Sequence, residues 1–217
     1  MQQKPSLIHL QSVTKFTTAH TLASPIFENA SVTLPCDQHC ALVGTDGTER
    51  NMALRLLGGK ERPDSGIILT NAKFSIITNA GSYFHPKLTG LENIHLMARR
   101  YGITPKILTE AALSLPVSTA DWMIVARKLP VKTRRTMEIL LAALLPFDCY
   151  LMEDIGRAEE DILNVLFGIL ASRRAGIIFT TQNPKFARQF STCASVIHNR
   201  TISAYGSVEE ALNNYAG

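Results

Sequence analysis

Short apolar or alternating segments recur along the chain and predict its strands. They cover residues 7–10, 30–35, 39–43, 66–70, 74–78, 147–154, 176–181, 194–197 and 201–205. The segment 39–43 is an apolar run, which is typical of a strand covered on both faces. The segment 147–154 is also mostly apolar, but it ends in two acids, Glu153 and Asp154.

Helical periodicity and capping signals predict the remaining elements. A helix follows the strand 39–43, carries the apolar residues of 52–57 and ends at the glycine pair 58–59. Further helices are predicted at 91–100, 132–145 and 159–174, and three more begin at Thr104, Asn183 and Ser207. The order of elements predicts an α/β protein, a single domain of residues 1–217 with a helical subdomain at about 88–130.

The turn between the strand 39–43 and the next helix carries a phosphate-binding pattern. Gly44 and Gly47 fit a P-loop, G-x-x-x-x-G-K-[ST], whose backbone N–H groups and helix N-terminus hold phosphate. The second glycine, the lysine and the hydroxyl of that motif are replaced by Glu49, Arg50 and Asn51. The candidate nucleotide contacts in this loop are Gly44, Thr45, Asp46, Gly47, Thr48, Glu49, Arg50, Asn51 and Met52.

Composition limits the other possibilities. The chain has 217 residues, 46% of them hydrophobic, and a net charge of +4. No apolar run reaches the roughly 18 residues of a membrane span, and the N-terminus lacks a signal-peptide pattern, so we expect a cytosolic protein. Its four cysteines fit reduced thiols, and Cys36 and Cys40 lack the second ligand pair of a metal site. The basic residues are dispersed, so we expect no nucleic-acid partner, and a mild basic excess also suits an anionic membrane surface.

Three segments resemble the ATP-binding-cassette (ABC) ATPases. They are 56–66 (LLGGKERPDSG), 88–94 (LTGLENI) and 147–152 (FDCYLM), and the resemblance extends from about residue 7 to residue 215. It is strongest to the short ATP-binding subunits of capsular and cell-surface polysaccharide exporters. It implies a P-loop NTPase-like nucleotide-binding domain with an antiparallel β subdomain and an inserted helical subdomain.

The resemblance also assigns nucleotide-binding and catalytic roles to positions of this chain. Six catalytic positions carry residues that differ from the family pattern. Phe16 corresponds to the aromatic residue that stacks on adenine. Asn51 and Glu153 correspond to the Mg²⁺ side of the site, and Asp154 to the general base, with the usual order of the two acids reversed. His85 stands at the Q-loop glutamine and Gln182 at the switch histidine, while 129–133 (LPVKT) replaces the Ser-Gly-rich signature.

These departures weaken the expected chemistry of ATP and Mg²⁺. A carboxylate at Glu49 about 4–5 Å from phosphate costs about 3–4 kcal/mol at an effective dielectric near 20. A Cβ at this position also resists a positive φ. Arg50 keeps the charge but not the geometry of lysine, and the amide oxygen of Asn51 is a weak Mg²⁺ ligand. The shorter Asp154 has less reach to an attacking water than a glutamate has.

Each feature also has an alternative interpretation. The glycines could form an ordinary strand-to-helix turn, Arg50 could pair with Glu49 or Glu153, and Glu49 could fill the phosphate nest itself. The pair Glu153 and Asp154 could be a solvated strand end. His85 and Gln182 could be loop residues, the cations at 132, 134 and 135 a solvated helix face, and Trp122 the core of the helical subdomain.

Three functions fit these observations. The first is a degenerate ATPase subunit that docks, near residues 82–94, beneath the membrane permease of an ABC-2-type polysaccharide exporter. It would be a homodimer, or a heterodimer with an intact ATPase subunit, peripheral on the inner face of the cell membrane. The second is an active ATPase that powers the same export with non-standard motifs. The third is a regulatory or scaffolding pseudo-ATPase outside transport.

Overall fold

The computed structural model describes residues 6–17, 24–78, 83–205 and 207–215. The strands are β1 (Leu7–Phe16), β2 (Pro25–Pro35), β3 (His39–Val43), β4 (Ser65–Thr70), β5 (Cys149–Met152), β6 (Gly176–Thr181), β7 (Cys193–His198) and β8 (Thr201–Ala204). The helices are α1 (Gly47–Leu57), α2 (Gly90–Tyr101), α3 (Pro105–Leu113), α4 (Thr119–Trp122), α5 (Val131–Ala143), α6 (Glu160–Ser172), α7 (Pro184–Phe190) and α8 (Val208–Tyr215). Two 3₁₀ turns lie at Ala126–Lys128 and Ile155–Arg157.

Two sheets organise these strands. The first is antiparallel, with the order β2-β1-β4. The second has the order β5-β6-β3-β7-β8, in which the first four strands are parallel and β8 is antiparallel. Strand β6 is buried at every position and β3 at all but its first, as a strand covered on both faces requires. The predicted α/β class with an antiparallel β subdomain is confirmed.

One predicted strand is wrong. Residues 74–78 form no strand, and Phe74 makes only an isolated parallel bridge to Cys149. The apolar pattern there reflects burial of an irregular segment, in which Ser75 donates its backbone N–H to the Cys149 carbonyl oxygen at 3.0 Å. The hydroxyl of Ser75 in turn accepts the backbone N–H of Leu151 at 2.9 Å.

The chain divides into two compact units. The first comprises Met1–Ile77, Phe147–Gly156 and Arg174–Gly217, and the second comprises Thr78–Pro146 and Arg157–Arg173. The first unit contains both sheets, and its core includes Ile8, Phe27 and Leu42, all fully buried. None of the helices in the described segments is both long enough and apolar enough to cross a bilayer.

The second unit is helical and packs around Trp122. This side chain is fully buried, and a Cβ on Gly90 would lie 2.9 Å from the Trp122 Cα and Cε3 atoms. Helix α2 begins at a capping box in which Thr89 and Glu92 each accept from the other's backbone N–H. The predicted subdomain, residues 88–130, falls within this unit.

Candidate nucleotide site

The carboxyl ends of β5, β6 and β3 bring most of the predicted site together. Val43 and Thr181 are register partners, and the backbone N–H of Gly44 donates to the Thr181 carbonyl oxygen at 3.2 Å. On the other side of β6, the backbone N–H of Asp154 donates to the Thr180 hydroxyl at 3.4 Å. In a parallel sheet, this edge is the usual place for a ligand.

The loop after β3 is short, because helix α1 begins three residues after Gly44. Helix α1 begins at Gly47, so Glu49 is helical and is absent from the residues with positive φ. The expected conflict between its Cβ and a positive φ is therefore wrong. A Cβ on Gly44 would lie 3.1 Å from the Ile197 Cβ, so glycine fits the close approach of this turn to β7.

The first backbone donors of α1 are occupied by a side chain of the loop itself. The Asp46 carboxylate accepts the N–H groups of Thr48 at 2.6 Å and Glu49 at 3.2 Å. These two bonds hold the pKa of Asp46 below its ordinary value of 3.8. The alternative in which Glu49 fills the nest is wrong, because Asp46 is the N-cap and Glu49 only supplies a backbone donor.

The loop carbonyls are bound by the residue at the lysine position. The Nη1 atom of Arg50 donates to the Gly44 carbonyl oxygen at 2.6 Å and to that of Thr45 at 2.9 Å. The guanidinium thus folds back over its own loop. Partial burial and the Asp46 carboxylate raise the pKa of the neighbouring Glu49.

The predicted Mg²⁺ residues contact each other. The Nδ2 atom of Asn51 donates to Glu153 Oε1 at 2.8 Å, across 102 residues of sequence. Mg²⁺ takes oxygen ligands at 2.0–2.1 Å, whereas Asn51 turns its amide nitrogen toward the carboxylate. Among the described residues, no group of three or more His, Cys, Asp or Glu side chains is placed to hold a metal ion. The Asn51–Glu153 hydrogen bond therefore joins the two residues that the sequence analysis assigns to Mg²⁺.

The other predicted residues lie at strand ends of the first unit or in the second unit. Asp154 has a φ of 46°, a left-handed conformation that aspartate tolerates better than most residues. Gln182 is exposed immediately after β6. Phe16 ends β1, with its N–H donating to Asp64 Oδ2 at 2.7 Å. His85 lies in the second unit, where its backbone N–H donates to the Asn93 Oδ1 at 2.6 Å.

A pocket of about 480 Å³ opens beside α1. Its lining combines predicted and unpredicted residues: Lys15, Gly47, Thr48, Asn51, Met52, Arg55 and Glu61. Lys15, Arg55 and Glu61 were missed by the sequence analysis, although Lys15 is adjacent to Phe16. Glu61 binds both cations, with Nζ of Lys15 at 3.6 Å and Nη2 of Arg55 at 2.5 Å. The ion pair with Arg55 lowers the pKa of Glu61.

The Asp46 cap gives a test of this closed loop. We expect Asp46→Ala to lower the free energy of unfolding by about 0.5–2 kcal/mol at neutral pH, because two N–H groups lose their acceptor. Because the folded state lowers the pKa of Asp46, this contribution is complete above the ordinary carboxyl pKa and disappears as the pH falls through the lowered value. Urea unfolding of wild type and Asp46→Ala at pH 7 and at a pH below 3.8 measures this contribution of the cap to the free energy of unfolding.

The matched control is Asp46→Asn, whose amide oxygen still caps the helix but does not titrate. We expect it to lose less stability than the alanine variant at pH 7. An equal loss in the two variants, or a difference between wild type and Asp46→Ala that is independent of pH, would contradict the capping role.

Comparison with known proteins identifies relatives across most of the chain. No family model matches it. The polysialic acid transport ATP-binding protein KpsT of Escherichia coli is 29% identical over 69% of both chains, and a second KpsT of this species is 23% identical over 96% of both. The ATP-binding protein BexA of Haemophilus influenzae is 22% identical over 88% of this chain and 89% of its own.

Solved structures share the fold at low sequence identity. An ATP-binding subunit of an ABC transporter superposes with a TM-score of 0.78 at 17% identity, covering 97% of this chain and 93% of its own. A dimeric ATP-binding cassette in a post-hydrolysis state with ADP and Pi gives 0.79 at 14% identity, covering 93% and 98%. The chain therefore has the fold of an ABC ATPase, and its sequence is similar to those of ATP-binding proteins that include two named for polysialic acid transport.

Proposed function

We propose that this protein is the ATP-binding-cassette subunit of a transporter that exports a capsular or cell-surface polysaccharide, and that its ATP hydrolysis is weak or lost. The relatives that span nearly the whole chain support the transport assignment. Support for the loss of hydrolysis comes from the phosphate loop.

The observation that carries this proposal is that the loop is bound by its own side chains. ATP would have to displace the Asp46 carboxylate from two backbone donors and Arg50 from two carbonyls. Hydrogen bonds to charged groups contribute about 1.5–3 kcal/mol each. Glu49 would add repulsion of about 3–4 kcal/mol toward phosphate. Each of these costs opposes ATP binding, so the nucleotide-free loop is favoured.

Hydrolysis demands more than binding. A general base needs hydrogen-bond reach to the attacking water, and a misplacement near 1 Å costs about 10²-fold in rate. Asp154 is one methylene shorter than glutamate, and Gln182 cannot carry the proton or charge of a histidine. Asn51 and Glu153, which would hold Mg²⁺, are joined by a hydrogen bond of 2.8 Å.

The proposed setting is an assembly on the inner face of the cell membrane. The subunit docks against the permease of an ABC-2-type exporter, and the cytoplasmic surface of that permease supplies the membrane attachment. Residues 82–94 are the proposed docking segment, of which Ser82 lies outside the described residues. Export needs hydrolysis, so we propose a heterodimer with an intact ATPase subunit, with a homodimer as the alternative.

The test is the response of the purified protein to Mg-ATP. A ligand at about 100 times its Kd stabilises a protein by roughly 2.7 kcal/mol, which is several degrees for a chain of this size. At millimolar Mg-ATP we expect no saturable shift of Tm, and phosphate release equal in wild type and Asp154→Asn. The Escherichia coli KpsT that spans 96% of both chains is the positive control.

Turnover that Asp154→Asn abolishes would contradict the proposal and establish an active ATPase with non-standard motifs. The transport setting is tested separately, by co-expression and co-purification with an ABC-2-type permease and an intact ATPase subunit. A folded protein that associates with neither would instead be the regulatory or scaffolding pseudo-ATPase.

A further inference from the structure

The four cysteines of the chain gather at the amino edge of the parallel sheet, opposite the nucleotide loop. Cys40 lies near the start of β3, Cys193 begins β7 and Cys149 begins β5, while Cys36 precedes β3. All four are free thiols, and all lie in the first unit. Two pairs of these thiols lie close enough to shift each other's pKa, Cys40 with Cys193 and Cys36 with Cys149.

The two pairs differ in their access to solvent. Cys36 and Cys149 are both 0% exposed, so no solute reaches either sulfur. Cys40 is also buried, but Cys193 is partly exposed. Of the four cysteines, only Cys193 is partly exposed, and it lies beside Cys40 on the neighbouring strand.

The Cys40 and Cys193 pair is aligned for a bond between its sulfurs. The two residues are register partners on neighbouring parallel strands, so their side chains leave the same face of the sheet. Adjacent strands lie about 4.8 Å apart, within the range of about 4.4–6.8 Å between the Cα atoms of a disulfide. The Cys193 Sγ also lies 3.8 Å from the carbonyl oxygen of His39, the residue before Cys40, which holds it toward β3.

We propose that Cys193 and Cys40 are an oxidisable thiol pair that hydrogen peroxide converts into an intramolecular disulfide. The Cys193 thiolate attacks one peroxide oxygen, the O–O bond breaks, and the hydroxide released takes a proton to leave as water. Cys193 is then a sulfenic acid. The Cys40 sulfur attacks the Cys193 sulfur, the S–O bond breaks, and the hydroxyl leaves as a second water with the Cys40 proton. Two thiols are oxidised and one peroxide is reduced.

The electrostatic environment assigns the two roles. Hydrogen bonds from Cys40 and Thr192 lower the pKa of Cys193, which favours the reactive thiolate. The hydrogen bond to Cys193 and burial raise the pKa of Cys40, which keeps it protonated until the sulfenic acid forms. A low-pKa, accessible thiol beside a second cysteine is the arrangement of a redox-sensitive pair.

Intact-mass analysis of the full chain after peroxide treatment tests the proposal. We expect a loss of about 2 Da, with one cross-linked peptide joining Cys40 to Cys193. Cys193→Ser removes the cross-link, and Cys40→Ser leaves a sulfenic acid on Cys193 that dimedone labels. Cys149→Ala is the matched control, because it deletes a buried thiol of the other pair and keeps the cross-link.

Circular dichroism confirms that each variant is folded. A cross-link between Cys36 and Cys149, an unchanged mass in wild type, or equal oxidation of wild type and folded Cys193→Ser would overturn the proposal. The pair lies at the amino edge of the sheet and the nucleotide loop at the carboxyl edge. Oxidation of the pair can therefore be measured whether or not the protein binds nucleotide.

Discussion

The combined substitutions Glu49→Gly, Arg50→Lys and Asn51→Ser are expected to raise the affinity for Mg-ATP about 10²–10³-fold. Removing the Glu49 carboxylate relieves phosphate repulsion of about 3–4 kcal/mol, and each 1.4 kcal/mol is tenfold in affinity. The Nη1 atom of Arg50 donates to the carbonyl oxygens of both Gly44 and Thr45, and lysine replaces this planar guanidinium with the compact ammonium that a P-loop uses. Serine at position 51 removes the hydrogen bond from the Asn51 side-chain amide to Glu153 and restores a hydroxyl for Mg²⁺.

Equilibrium binding of a fluorescent ATP analogue, competed with Mg-ATP, measures the affinity. The matched control is Arg50→Lys alone, which keeps the Glu49 carboxylate and should gain less than about tenfold. The closed-loop explanation fails if the triple variant is folded but binds Mg-ATP no better than wild type. It also fails if Arg50→Lys alone accounts for the whole gain.

The second large effect concerns stability. Trp122→Ala is expected to lower the free energy of unfolding by about 3–5 kcal/mol, because it leaves a large cavity in a closely packed site. The indole is fully buried, a Cβ on Gly90 would lie 2.9 Å from its Cε3 atom, and the Phe84 ring lies beside it at a ring-centroid distance of 6.4 Å. For a chain of this size the loss corresponds to a fall in Tm of roughly 10 °C.

Urea unfolding followed by far-ultraviolet circular dichroism measures this loss, since Trp122 is the only tryptophan and its fluorescence disappears in the variant. Trp122→Phe is the control. The indole Nε1 has no hydrogen-bond partner among the described residues, so phenylalanine removes volume but no hydrogen bond. A loss below about 1 kcal/mol in the alanine variant would show that the helical unit repacks without this side chain.

The elements with clear periodicity were predictable from the sequence. The continuous run in β3, the amphipathic patterns of α5 and α6 and the Pro-initiated helices α3 and α7 are present close to their predicted bounds. Residues 74–78 carry the same kind of pattern but form an irregular segment beside β5, because a short apolar run records burial and not backbone pairing.

The sequence predicted where most site residues lie in the fold, but it predicted few of the side-chain contacts that they make. Gly44 to Met52, Asp154 and Gln182 follow the strands that the sequence predicts, so their places along the carboxyl edge follow from strand order. Lys15, Arg55 and Glu61 carry no local signal for the pocket they line beside α1, because their contacts depend on how β1 and the α1–β4 connection fold back.

The sequence by itself determined the fold class, the location of the phosphate-type loop and the identity of its altered residues, because these depend on local periodicity and motif spacing. Asp46 takes the helix donors of that loop and Arg50 takes its carbonyls, both through contacts that are local in sequence. Only the tertiary structure decided that Glu153 reaches Asn51 from 102 residues away. The pairing of Cys40 with Cys193 likewise follows from β3 and β7 being neighbours in the sheet. Contacts between residues far apart in the chain depend on which strands the fold makes neighbours, and that order is not encoded in the sequence next to either residue.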